Sequence, residues 1–304
     1  YIIISHAHID HSGYLPFLYQ QGCRAKILVT KPTRDLIQLL LADYLKVASA
    51  RGESPYQDRD ILNVLKNMEF AKYRERVWIK GIEARLFDAG HILGSSTVQL
   101  TSEGKRLFYT GDLSFRETKL MNPADVDVEP ADALITETTY AFKEDRIPAL
   151  KDSTKKLSDL IKDTVKKGGQ VLIPAFGVGR SQEIIYIIEN LMRSGVVPEI
   201  PVFIDGMVKK GCGIYRQNIL FLREEVSMRL LMSGEDPLRS KNIRTPSTRD
   251  KRDVLEAGPA VIIASSGMLS GGPSVFYLSK LIGDLRNAII LVGYQVKGTM
   301  GSEL

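Results

Sequence analysis

The sequence predicts a layered α/β fold in two parts, and three observations carry that prediction. Short apolar, β-branched runs alternate with longer segments of helical period, as layers of strand and helix require. Residues 77–110 are rich in strands that follow one another closely. From about residue 150 a strand-then-helix unit repeats, the pattern of a parallel sheet covered by helices on both faces. The spacing therefore places a domain change near residue 145, with domains at 1–143 and 144–304.

Taken in order, the apolar runs predict strands over residues 1–5, 26–30, 77–87, 96–101, 106–110 and 133–137, then 170–174, 202–205, 260–265 and 288–292. Thr33 reads as the N-cap of a helix reaching about Ala50, and Asp58 opens another reaching about Phe70. A further helix is expected from near Ser181, after the turn GVGRS. Between Arg239 and Arg252 the chain carries Arg239, Lys241, Arg244, Arg249, Lys251 and Arg252 among prolines and serines, which reads as a basic surface loop, either merely solvated or in contact with RNA.

Composition narrows the class before any motif does. With 44% hydrophobic and 25% charged residues over 304 positions, the chain can bury two cores and is not of disordered type. No apolar run is long enough for a membrane span and no basic leader precedes one, so a soluble, cytoplasmic protein is expected. Cys23 and Cys212 are far apart and outside any CxxC spacing, which argues against a disulfide framework or a zinc ribbon. The net charge of +5 suits a polyanionic partner without requiring one. The chain opens at Tyr1 without a methionine, directly in a strand-like YIII, and reads as an excerpt of a longer protein.

Chemistry concentrates in SHAHIDHS, Ser5 to Ser12. In a strand and its following turn, residues two apart point the same way, so His6 and His8 can converge on one ion while Asp10 and His11 reach a second. Imidazole and carboxylate are the ligands of a hydrolytic metal that keeps one position open for water. A lone histidine is usually structural, but here three of the four histidines lie within six residues and the fourth, His91, sits in the Gly-rich DAGHILGSS. Asp112 follows a strand in YTGDLS, where Gly111 permits a tight turn.

HAHIDH, the GH of GHILGSS and the GD of YTGDLS resemble, in order, the metal motifs of the metallo-β-lactamase superfamily. LITETTY, IPAFGVGRSQE, ASSGMLSGGP and GYQVKGTMG are similar to the landmarks of its β-CASP insert in the RNA-processing branch, which includes the endonuclease subunit of the cleavage and polyadenylation factor, its archaeal relatives and ribonuclease J. The resemblance implies an αββα sandwich with an inserted β-CASP domain, and an active site in the cleft between the two. It implies two zinc ions: His6, His8 and His91 on one, Asp10 and His11 on the other, and Asp112 bridging both. Asp10, Asp112 and Glu137 become the catalytic carboxylates, with Glu137 pairing a histidine that protonates the leaving oxygen. No histidine follows His91 in the sequence, so that histidine and the one completing the second zinc shell are expected beyond Leu304, and the first strand pair of the lactamase domain before Tyr1.

The implied activity is hydrolysis of an RNA phosphodiester by a two-metal activated water, with single-stranded RNA as partner and either a homodimer or the subunits of a processing complex around it. Rivals remain: an RNA-binding paralogue that does not cut, a small-molecule hydrolase, and a DNA-directed β-CASP nuclease. The residues themselves add one point. GVGRS follows an apolar strand and precedes a helix, so backbone N–H groups with Arg180 and Ser181 can hold a phosphate. SSGMLSGG after the strand at 260–265 is a turn of the same kind, with Ser265, Ser266 and Gly267 as candidate contacts; in both, a purely structural turn is the alternative.

Overall fold

A computed structural model describes all residues 1–304. The chain forms two compact units, Tyr1–Asp145 and Arg146–Leu304.

The first unit runs β1 (Ile2–Ile3), α1 (Ile9–Ser12), α2 (Leu15–Gln20), β2 (Ile27–Val29), α3 (Lys31–Ala50), α4 (Asp58–Lys66), β3 (Met68–Phe70), β4 (Val77–Ile79), β5 (Ile82–Asp88), β6 (Ser96–Ser102), β7 (Lys105–Tyr109) and β8 (Ala133–Ile135). A three-stranded parallel sheet, β1-β2-β3, faces a five-stranded sheet, β4-β5-β6-β7-β8, in which only the β7–β8 pair is parallel. Leu28 and Ala71 from the first side meet Ala84, Leu86 and Val98 from the second, and this apolar seam joins the layers. Burial of each of Leu28, Leu86 and Val98 contributes roughly 1.5–3 kcal/mol, and the alanines less.

Three local expectations are corrected. The helix from Asp58 stops at Lys66 and residues 68–70 are a strand, because Asn67 gives its carbonyl to the Ile27 N–H and so delivers the chain into the open edge of β2. The cap of α3 is Thr30, not Thr33: the Thr30 hydroxyl accepts the Thr33 N–H at 3.3 Å, and Pro32 sits in the first turn, where its missing N–H costs nothing. Residues 77–87 form a hairpin and not one strand, since Lys80 and Gly81 both take positive φ (48° and 88°), the geometry of a two-residue turn.

The second unit runs α5 (Leu150–Lys166), β9 (Gln170–Pro174), α6 (Arg180–Arg193), β10 (Val202–Asp205), α7 (Val208–Gln217), α8 (Glu224–Ser233), β11 (Ile243–Arg244), α9 (Arg252–Leu255), β12 (Ala260–Ala264), α10 (Pro273–Leu281), β13 (Ala288–Ile289) and α11 (Met300–Glu303). Its sheet is wholly parallel in the order β11-β10-β12-β9-β13. QVLIP and AVIIA, in β9 and β12, are buried at every position, which is why they read as unbroken apolar runs without alternation. The crossover from β9 runs one way along the sheet and that from β12 the other, so right-handed connections put α6 and α10 on opposite faces. Ligands of such sheets enter beyond the strand C-termini, where neighbouring helices diverge in this way. No helix is long and apolar enough to cross a membrane.

Within the basic stretch, Lys241 is paired with Glu199 (2.8 Å), Lys251 with Asp205 (2.6 Å) and Arg252 with Asp250 (3.1 Å), so half of its cations are neutralised locally.

Candidate metal centre

The sequence SHAHIDHS folds as β1, a short extended passage and α1, and the passage is tied from both sides. Ser12 donates its hydroxyl to the carbonyls of Ala7 (2.8 Å) and His8 (3.1 Å), while the Ser5 carbonyl accepts the Ser96 N–H at 2.7 Å. The backbone carrying His6 and His8 is thereby fixed to the first strand residue after the His91 loop. That loop is pinned in its turn. Ser95 accepts the N–H groups of His91 and Ile92 on its hydroxyl, both at 3.2 Å, and the Gly94 carbonyl accepts the hydroxyls of Thr30 and Thr33 at 2.7 Å each. Gly111 holds the third segment: its φ is +53°, and a Cβ there would lie 2.6 Å from the Cβ and Oγ of Ser5.

Four donors converge. One ligand atom from each of His6, His8, His91 and Asp112 lies within 4.8 Å of the others. Nδ1 of His8 is 3.1 Å from Nε2 of His6 and 3.1 Å from Nε2 of His91, and Oδ2 of Asp112 is 3.8 Å and 3.6 Å from the latter two. Ligands at about 2.0–2.1 Å around a tetrahedral zinc would stand about 3.3–3.4 Å apart, so the set fits one such ion with little adjustment. Burial holds the His6 imidazole far below its usual pKa and lowers His8 to about 4, helped by the neighbouring imidazoles; both are therefore neutral and offer a lone pair at physiological pH. The other nitrogen of His6 lies 3.2 Å from the Ser5 hydroxyl, the kind of outer contact that sets a ligand's ring orientation.

The second expected pair stands beside this group. Nε2 of His11 is 3.3 Å from Oδ1 of Asp112 and 3.6 Å from Oδ2 of Asp10, whose side chain is largely exposed. Burial, with Asp10 and Glu137 adding to it, raises the Asp112 carboxyl against the pull of His11 and His8. So many acids around so few cations favour a bound cation.

Glu137 follows β8 and is no part of the four-donor group. Its Oε2 accepts the Thr139 N–H at 2.7 Å. Burial pushes its pKa up, but hydrogen bonds from Thr139 and the Leu113 backbone, together with the His91 charge, outweigh that and hold the carboxyl below its usual value. It thus ties the segment after Asp112 to the one after β8.

In the second unit the two proposed phosphate turns follow adjacent strands, β9 and β12. Their backbones touch, since a Cβ on Gly267 would lie 2.9 Å from the Phe176 nitrogen. Arg180 is exposed, whereas Ser181 is fully buried with its hydroxyl unpartnered. The hydroxyls of Ser265 and Ser266 accept the N–H groups of Met207 (3.3 Å) and Ser270 (2.9 Å), so both are engaged within the loops.

Reading the sequence missed the supports. Ser5, Ser95, Ser96, Thr30 and Asp88 hold the ligand segments without being ligands. Asp88 accepts the Gly90 N–H at 2.8 Å, and burial, with Asp125 beside it, pushes its pKa up to about 7. The available signal was the crowding of small hydroxyl residues in SHAH and GHILGSS, since short side chains that bond backbone suit tight loops.

Comparison with known proteins agrees with this geometry. Residues 1–165 match the metallo-beta-lactamase superfamily and residues 181–304 the Beta-Casp domain. The whole chain is 40% identical to 48% of the transcription termination factor FttA of Lokiarchaeum sp., and 38% identical to 49% of the FttA of Methanocaldococcus jannaschii. It is 36% identical to 68% of an RNase J-like protein of M. jannaschii, again along its entire length. The chain spans about half the length of the termination factors it matches. With the metal motifs converging in space and both halves matched, the chain belongs to the metallo-β-lactamase superfamily of metal-dependent hydrolases, in its β-CASP, RNA-processing branch.

Proposed function

We propose that the protein hydrolyses RNA phosphodiester bonds at a two-zinc centre. The observation that carries this reading is the convergence of three imidazoles and one carboxylate within 4.8 Å, on loops held by hydroxyl side chains. Zinc fits the donor chemistry, because a set of nitrogen and oxygen ligands at tetrahedral spacing suits it better than magnesium or calcium, which prefer oxygen alone. When bound, such ions supply Lewis acidity and activate water near neutral pH.

The chain's own residues do the rest. His6, His8 and His91 would hold one ion, with Ser5 setting the His6 ring. Asp10 and His11 would hold the second, and Asp112 would serve both, since its Oδ1 faces His11 and its Oδ2 faces His6 and His91. Glu137, held ionised, orients the group that protonates the leaving oxygen. Arg180, Ser181, Ser265, Ser266 and Gly267 lie in the turns that receive phosphate. The names of the relatives, termination factor and RNase J-like protein, support RNA as substrate and a nascent transcript as its source in the full-length protein.

The test is single-turnover cleavage by the zinc-loaded full-length protein of one single-stranded sequence made as RNA and as DNA, with a chromogenic lactam in parallel. RNA should be cut fastest, and chelation should stop the reaction. Cleavage of the lactam alone would reject the reading, and equal cutting of both nucleic acids would widen it to a general nuclease.

A further inference from the structure

We propose that the C-terminal edge of the second unit's sheet is a track for single-stranded RNA, in which Phe176 and Tyr294 stack on bases while Arg180, Lys209, Lys210 and Lys297 take the phosphates. The proposal deepens the reading of the chain as an RNA hydrolase and rests on it.

The loops at this edge form one connected surface. Gln295, next to Tyr294, donates to the Gly267 carbonyl at 3.2 Å. The Phe176 ring lies 3.9 Å from where a Cβ on Gly293 would stand, and Met207 donates its N–H to Ser265. On that surface two aromatic rings face solvent, Phe176 at 44% and Tyr294 at 66% exposure.

The charges point the same way. Residues 175–182, 206–212, 265–273 and 290–299 contain no aspartate or glutamate. Some surface cations of this unit are paired, as in Lys155–Asp159, Lys241–Glu199 and Arg286–Asp284, whereas the four at this edge have no ion-pair partner. Lys209 and Lys210 sit in the first turn of α7, which has no acid, and Arg180 is the first residue of α6. Cations there oppose the positive end of the helix, an unfavourable placement that a bound anion relieves. Of the carboxylates that flank these loops, Glu183 in the first turn of α6 is buried, and Asp205 is already spent: it accepts Lys251 at 2.6 Å and the buried Tyr277 hydroxyl at 2.9 Å. Exposed aromatics among uncompensated cations are the signature of sequence-tolerant single-strand binding, where rings meet bases and charges follow the backbone.

The experiment measures binding by the full-length protein of fluorescent 2′-O-methyl oligomers, which it cannot cut, as oligo-U, oligo-A and a duplex. Phe176→Ala and Tyr294→Ala should each weaken single-strand binding by roughly 5- to 100-fold, alike for U and A, with little change for duplex. Tyr294→Phe should bind normally. The Lys209→Gln/Lys210→Gln pair should flatten the log–log salt dependence by about 1.4, since each phosphate left without its cation takes about 0.7 from the slope. The track is overturned if wild-type protein fails to bind the single strands, if Phe176→Ala/Tyr294→Ala binds within twofold of it, or if duplex binding falls equally. Cleavage of ordinary RNA is scored separately. An uncutting protein whose binding needs both rings keeps the track and loses the hydrolase, and a cutting protein indifferent to them does the reverse.

Discussion

Oδ1 of Asp112 lies 3.3 Å from Nε2 of His11, while its Oδ2 is turned toward His6 and His91 at 3.8 Å and 3.6 Å. One carboxylate thus addresses two sets of imidazoles. Asp112→Ala in the full-length protein should abolish RNA cleavage and leave RNA binding nearly intact, because it removes ligand geometry and not phosphate contacts. A variant keeping more than about a tenth of the wild-type single-turnover rate would exclude the bridging role.

The two halves of the centre should differ in affinity. The four-donor group is converged and half-buried, whereas Asp10 is open to solvent and outside it. Zinc titration should give one tight and one weaker step, the weaker removed by His11→Ala. Two equal, tight steps would contradict this.

Gly111→Ala should lower metal affinity by roughly 10- to 100-fold, because a methyl group 2.6 Å from Ser5 displaces the residue that orients His6. Gly104→Ala is the control: its φ is +76° but nothing lies within 4 Å, so it should cost some stability and spare the metal. Equal zinc affinity in the two variants would refute the steric account.

Asp88 makes stability depend on pH. Its folded pKa of about 7 lies above the unfolded 3.8, so the folded state holds the proton more tightly. The contribution is complete below about pH 4 and is lost as pH rises from about 4 to about 7. Asp88→Asn, which keeps an acceptor for the Gly90 N–H, should flatten the melting-temperature profile across that window and raise stability at pH 8. An unchanged slope would place the origin elsewhere.

Glu137→Gln should keep metal and RNA affinity while slowing the chemical step by roughly 10²- to 10⁴-fold. The hydrogen bonds from Thr139 and Leu113 allow a contrary outcome, a lower melting temperature with a normal rate per folded molecule, which would make Glu137 only a clasp.

The four-donor group of histidines and Asp112 was legible because histidine is scarce in this chain, so its clustering carries information that a cluster of lysines would not. The strands β9 and β12 were legible because burial on both faces leaves unbroken apolar runs. β3 was not, since Met68–Phe70 follows a helix directly and becomes a strand only through its partner Ile27–Val29. The turn at Lys80–Gly81 lacks the Asn or Asp that usually announces it. Asp88 stayed hidden because a carboxylate in a Gly-rich loop looks solvated until the surrounding chain is seen to bury it.

The paired hydroxyls of Thr30 and Thr33 on the Gly94 carbonyl make the start of α3 a hanger for the loop that bears His91. Neither threonine belongs to the four-donor group. A genetic screen for lost activity would nevertheless return both positions, and a chemist mapping the hits would draw the active site several residues too wide. Restoring function with excess zinc tells the two kinds of hit apart: a loosened hanger can still be filled at high metal concentration, whereas a deleted ligand cannot.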